Sequence, residues 1–177
     1  NKCSVNCYNL SLAPVHLLRR GAAFALGAIG VHGRDVAPTS AAKQVQAFDI
    51  ALPEGARIAT VSGRYFAMDR DNRWDRVEKA YRAVVEGKGD TLEDPSEGIV
   101  TCYDLDQTDE FIEPFIIKGY KGMEKGDGLF FINFRGDRAR EILSAIGDPE
   151  FDGFKRDKPE LSALLGMVEY SDRHNAY

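Results

Sequence analysis

The chain has 177 residues, 44% of them apolar, which suffices for one compact domain with its own core. A net charge of -5 argues against general nucleic-acid binding, because contacts to a polymeric phosphate backbone need a basic surface. Arginine nevertheless outnumbers lysine and clusters at a few places, an arrangement that suits a small anion better than a polymer.

Near the N-terminus, Cys3 and Cys7 have no second Cys or His pair at a spacing that would complete a zinc site. With Cys102 they form an odd set, unlike a secreted disulfide scaffold, and a reducing cytoplasm is the simpler setting. The segment Arg19 to Gly30 places two charges before an apolar run, as a secretory leader does. It is read instead as part of the fold or as extraneous sequence, and it is too short to span a bilayer as a helix.

Three junctions follow. Gly33-Arg34-Asp35-Val36-Ala37-Pro38 precedes a helix capped by Thr39 or Ser40, with Ala41, Val45, Phe48 and Leu52 on its buried face. Arg57 to Val61 reads as a short buried strand ended by Ser62-Gly63, and Arg64 and Arg70 occupy the turn after it. That turn leads into a helix carrying Trp74, Val77, Tyr81, Val84 and Val85 at helical spacing, with Asn72 as N-cap and Asp75 completing a capping box. Leu129 to Phe134 is an apolar run of strand length, and Arg135 and Arg138 sit at the first turn of a helix with Ala139, Ile142, Leu143 and Ile146 on one face. A helix N-terminus with free N–H groups favours an anion, and the guanidinium fork fits phosphate or carboxylate.

Between these, Gly87 to Asp90 reads as a turn, Pro114 to Lys118 as a strand, and Gly119 to Gly128 as a loop. Gly98 to Tyr103 looks like a strand by propensity. Leu164 to Tyr170 reads as a last strand. Arg73, Arg76, Arg82, Arg140 and Arg156 read as solvated or weakly paired surface arginines, Cys102, Trp74 and Tyr81 as core, and His174 as an exposed residue. Read without further information, Asp35 caps a helix or pairs with Arg34, and Asp69, Asp71 and Asp137 are able to pair with the neighbouring arginines.

Taken together, Gly33 to Pro38, Ala59 to Tyr81, Thr108-Asp109-Glu110-Phe111 and Asn133-Phe134-Arg135-Gly136-Asp137-Arg138 resemble the cofactor-independent phosphoglycerate mutases in order and spacing. The long central motif is the specific one. The resemblance runs from about Gly33 to the C-terminus and is poor before it. In that family an inserted phosphotransferase domain interrupts a metal-dependent phosphatase-like domain, and this chain resembles the insert alone. The implied fold is a single-domain α/β/α sandwich with a mostly parallel central sheet. The implied division is an N-terminal segment of uncertain register (1–30), the phosphotransferase domain (31–170), and the start of a linker to the phosphatase-like domain (171–177). The first residue, Asn1, fits a piece of something longer. On resemblance, a helix is expected from Pro95 to Leu105, against propensity.

The resemblance also implies roles. Arg64, Arg70, Arg135 and Arg138 match arginines that hold the carboxylate and phosphate of 2- or 3-phosphoglycerate. Arg34 matches another substrate-binding arginine, and Asp35 the carboxylate that moves protons at the glycerate hydroxyls. The family's phosphorylated serine and two manganese or magnesium ions belong to the phosphatase-like domain, so no metal is expected here. The expected partners are the phosphoglycerates and that other domain, with no nucleic acid and no membrane, in a cytoplasmic monomer. The family's Gly-Gly-Val-His-Ser-His motif has no counterpart in residues 1–30, so one substrate contact is missing, and its role is not given to His16 or His32. A non-catalytic arginine-rich module that binds a phosphorylated metabolite is the alternative.

Overall fold

The computed structural model describes residues 3–7, 25–31, 37–133 and 135–176, the first two stretches as backbone. Arg34, Asp35, His16 and His32 therefore lie outside the described residues. Seven strands form one sheet: β1 Cys3–Cys7, β2 Ala25–Val31, β3 Ala56–Gly63, β4 Asp90–Leu92, β5 Phe115–Ile117, β6 Gly128–Phe131 and β7 Ala163–Gly166, in the order β4-β5-β3-β2-β1-β6-β7. Every neighbouring pair is parallel except β3 with β5. β1 and β2, which precede Gly33, thus lie in the middle of the sheet.

Helices cover both faces, giving the expected α/β/α layering. On one face lie α3 (Trp74–Glu86) and α5 (Gly136–Gly147), whose Val77, Tyr81, Val84, Ile142 and Ile146 bury against Leu129 and Phe131 of β6. On the other lie α1 (Ala41–Ala51) and α4 (Pro95–Asp104), which bring Val45, Phe48, Ile99 and Cys102 against Ile58, Val61 and Phe115. β3 is buried from Ile58 to Gly63, as a central strand covered on both sides requires. A short helix α2 (Arg64–Ala67) follows it directly.

The helix boundaries carry two corrections. Asn72 does not cap α3. It takes a left-handed φ of 57°, and Arg73 precedes the first helical residue without a side-chain cap. Neither Thr39 nor Ser40 caps α1 with its own side chain. Asp109, far along the chain, accepts from the N–H groups of Ser40 at 3.0 Å and Ala41 at 3.1 Å. For α4 the strand propensity of Gly98 to Tyr103 loses to a local start signal. The Asp94 carboxylate accepts from Ser96 N–H at 2.8 Å and Glu97 N–H at 2.9 Å, with Pro95 in the first turn.

The C-terminal strand is shorter than expected, and the residues after it lie against α5. His174 is half-buried, with Nε2 3.1 Å from Ser144 Oγ and 3.0 Å from the Arg140 carbonyl, and Nδ1 2.6 Å from Ser171 Oγ. It is not an exposed residue, because α5 supplies it with partners.

Candidate anion-binding site

β3, β2, β1 and β6 are mutually parallel, so the C-terminal ends of β3 and β6 open on the same edge of the sheet. Three strand spacings separate them, about 14 Å. The turns after these two strands carry Arg64, Arg70, Arg135 and Arg138, and the ligand edge of an open α/β sheet is the edge on which they lie.

A cavity of about 380 Å³ opens there. Five arginines line it, Arg64, Arg70, Arg73, Arg76 and Arg138, against the three carboxylates of Asp69, Asp71 and Glu110. Arg64 is 5% exposed and starts α2 straight after Gly63. The strand end is pinned by the Gly63 N–H, which donates to the Ile112 carbonyl at 2.8 Å. A Cβ on Gly63 would stand 2.4 Å from the Glu110 carbonyl oxygen, so only glycine lets β3 pass this close to the segment that forms the cavity rim.

Arg138 reaches back from α5 and donates through Nη1 to the Met68 carbonyl at 2.9 Å, tying the second junction to the first. Arg70 crosses the other way, its Nη1 3.1 Å from Asp137 Oδ2. Burial opposes the charge on Asp137, but Arg70, Arg138 and Arg135 together hold its carboxyl below the ordinary carboxylate range. Arg135 itself is exposed on the adjoining rim and does not line the cavity. Its backbone N–H donates to Asn133 Oδ1 at 2.9 Å.

The turn between α2 and α3 is held by carboxylates rather than by a helix cap. Asp69 is 4% exposed, and its Oδ2 accepts from the N–H groups of Asp71 at 2.9 Å and Arg73 at 3.0 Å. Burial works against its charge, yet these N–H groups, Glu141 and the Arg73 guanidinium leave its carboxyl lower than usual. Arg76 lies 3.6 Å from Asp69 and stacks 3.7 Å over the Tyr65 ring, which in turn meets Phe111 at 5.1 Å.

Asp109 does not line the cavity but builds its wall. It is 1% exposed, accepts from the Tyr103 hydroxyl, and its own N–H donates to the Pro38 carbonyl at 2.8 Å. Burial and this hydrogen bond push the Tyr103 phenol up. The segment beginning at Pro38, three positions after Asp35 in the sequence, is thereby fastened beside Glu110 and Phe111.

Of the sequence-derived residues, then, Arg64, Arg70 and Arg138 come together, Arg135 stands beside them, and Arg34 and Asp35 lie outside the described residues. Arg73 and Arg76, read from the sequence as solvated or weakly paired surface arginines, also line the cavity; Arg73 is indeed 48% exposed and paired with Asp71, whereas Arg76 is half-buried. Their spacing of three residues, with Asp69 four before Arg73, is the signal that points them back to the turn. Among the described residues no group of three or more His, Cys, Asp or Glu could hold a metal ion, and no helix is long and apolar enough to cross a membrane.

Comparison with known proteins agrees with this fold. The family model described as BPG-independent PGAM N-terminus matches residues 21–172, beginning upstream of Gly33. The chain is 61% identical over 145 residues to the 2,3-bisphosphoglycerate-independent phosphoglycerate mutase of Agrobacterium fabrum and 55% identical over 146 residues to that of Dinoroseobacter shibae. In each case 82% of the chain is covered, but only 29% of the relative. A crystal structure of Leishmania mexicana phosphoglycerate mutase at low cobalt concentration superposes with a TM-score of 0.84 at 29% identity, covering 94% of this chain and 35% of that one. With the fold, the arginine-lined edge and a family match over most of its length in agreement, the chain belongs to the BPG-independent phosphoglycerate mutase family, as its N-terminal region.

Proposed function

We propose that this chain is the phosphotransferase domain of a phosphoglycerate mutase that interconverts 2- and 3-phosphoglycerate through a phosphoserine on a phosphatase-like domain. Its task is to hold the glycerate while the phosphoryl group resides on that serine, and to let it reorient before the phosphate returns to the other hydroxyl. The observation that carries this reading is the convergence of Arg64, Arg70 and Arg138, from two different strand ends, on one cavity of about 380 Å³.

Arg64 and Arg138 supply buried and half-buried charge whose position is set by the backbone, and Arg70 and Arg135 supply exposed charge at the rim. Such an arrangement neutralises carboxylate and phosphate together and orients the carbon chain between them. Phosphoryl transfer depends chiefly on positioning and charge neutralisation, which guanidinium groups provide. Asp35 is assigned proton transfer at the glycerate hydroxyls and Arg34 a further substrate contact, both through their place in the family motif. Two manganese or magnesium ions supply the phosphatase-like domain with its phosphoryl chemistry. The chain alone is inactive, and the whole protein works as a monomer in the cytoplasm.

The test is calorimetric titration of the chain with 3-phosphoglycerate, beside a mutase assay of the full-length protein with manganese or magnesium. Weak binding by the chain and turnover only by the whole protein are expected. Turnover by the chain with no added metal overturns the proposal. Binding by the chain with no mutase activity in the full-length protein favours the alternative, an arginine-rich module that senses a phosphorylated metabolite.

A further inference from the structure

Behind the anion cavity, α5 sends an acidic side chain into the turn that carries Arg70. Glu141 is 8% exposed, and its Oε1 accepts from the Asn72 N–H at 2.9 Å. Asp69 already takes the N–H groups of Asp71 and Arg73, so three successive amides of one turn are held by two carboxyl groups. Asn72, the middle residue, is the one in left-handed conformation, which no side-chain cap from the turn itself supports. Among the described residues Glu141 Oε2 is buried without a hydrogen-bond partner, and the Glu141 carboxyl adjoins that of Asp69, which holds the same turn. Two adjoining carboxylates repel, and a proton on one converts repulsion into a donated hydrogen bond.

We propose that Glu141 is a positioning residue for the anion site: in its protonated form it donates to Asp69 while accepting from Asn72, fixing the Asp69–Arg73 turn on α5, and its ionisation loosens that turn and weakens anion capture. The inference rests on the cavity being an anion site. Burial, with the charges of Asp69 and Asp71, pushes the Glu141 carboxyl up to about 7, against the Asn72 amide, which favours ionisation. Other charges face the same place. Arg73 and Arg76 reach Asp69 from the turn and α3, and Asp148, Asp152, Arg173 and His174 share with Glu141 and Arg140 a second cavity on its far side. Arg173 and Asp148 are 2.5 Å apart and neutralise each other, so burial leads the upward shift and the acidic neighbours Asp69 and Asp71 add to it.

Because the folded protein keeps a proton that the unfolded chain gives up above the ordinary value of 4.5, this contribution to stability is full below that value. It is lost as pH rises through about 7. Sulfate is the right probe, since its own charge does not change in this range. Wild-type chain is expected to bind sulfate about fivefold more weakly at about pH 8.5 than at about pH 6, as one added negative charge beside the site requires. Glu141→Gln keeps both hydrogen bonds at every pH, so its affinity should match the wild type at low pH and stay flat, whereas Glu141→Ala should bind weakly throughout. Carbon-detected NMR of the Glu141 carboxyl and of the Asn72 amide in the wild-type chain provides a readout that needs neither variant nor ligand, and both should titrate together near neutrality. An unaltered pH slope in Glu141→Gln, or a Glu141 carboxyl titrating in the ordinary range while sulfate binds, removes the role of Glu141 alone. Failure of sulfate to bind at any pH removes the anion site, and the pH claim with it.

Discussion

At the end of β3, Arg64 is 5% exposed and its backbone is clamped through Gly63 to the Glu110–Ile112 segment, whereas at the end of β6 Arg135 stands exposed, its backbone N–H donating to Asn133 Oδ1 and its carbonyl accepting from the Arg138 N–H. Each junction also holds a second arginine of the opposite kind. Arg70, after β3, is half-exposed and paired with Asp137, while Arg138, after β6, is 16% exposed and bonded to Met68. Each turn thus offers one fixed cation and one exposed cation, and the fixed ones lie deeper. A site built this way has its floor set before a ligand arrives, since a guanidinium already held by burial needs little ordering on binding. Its rim closes by exchange, because Arg70 must trade Asp137 for the ligand.

The largest effect should come from the floor. Arg64→Ala removes a buried charge-assisted pair of donors, and 3-phosphoglycerate affinity is expected to fall about a hundredfold, read by calorimetry on the chain and by kcat/KM in the full-length protein. If Arg64→Ala costs no more than loss of the exposed Arg70, the distinction between floor and rim fails. Next comes the clamp that seats Arg64. The Cβ of Gly63→Ala would meet Glu110 O at 2.4 Å and Ile112 N at 2.7 Å, both backbone atoms with no room to yield. Denaturant unfolding should show a loss of about 2 kcal/mol, as overpacking at a rigid contact does. Third is Arg70→Ala, expected to weaken 3-phosphoglycerate binding about tenfold with unchanged unfolding midpoint, because its ion pair with Asp137 is an exposed one.

How much of this was readable in the sequence follows the same division. The placing of Arg64, Arg70, Arg135 and Arg138 in turns between strand and helix was legible because apolar runs end before them and helical periodicity starts after them. The helix faces at Val45, Phe48, Val77, Tyr81, Ile142 and Ile146 were legible for the same reason, and all are buried. Asp109 was not legible as a cap, because it serves α1 from 69 positions away in the chain, beyond any local signal. Asn72 was misread because an Asn before a helix has two uses, capping or a left-handed turn, and the choice was made by Asp69 and Glu141 taking the amides. Arg73 and Arg76 looked like a solvated face until Tyr65 and Asp69 supplied partners from the preceding turn. The helix at Pro95 needed the family resemblance, since Ile99, Val100, Thr101, Cys102 and Tyr103 favour a strand by type and only Asp94-Pro95 argues otherwise.

The smallest effect tests the rim directly. Arg70 and Asp137 meet at 3.1 Å with side chains 53% and 51% exposed, in the range where an ion pair contributes at most about 1 kcal/mol. A ligand carboxylate or phosphate that recruits Arg70 must displace that carboxylate, and Asp137 also repels any anion entering beside it. Asp137→Asn removes the competitor and one negative charge while leaving the backbone start of α5 in place. The variant should therefore bind 3-phosphoglycerate about threefold more tightly, with the gain shrinking as salt screens the rim. Arg70→Ala should abolish most of that gain when the two are combined, because the competitor then has nothing to compete for. Equal gains with and without Arg70 would mean that Asp137 acts only as a bulk charge. In that case Arg70 is a surface cation, and the contrast between a fixed floor and an exchanging rim reduces to the depth of Arg64 and Arg138.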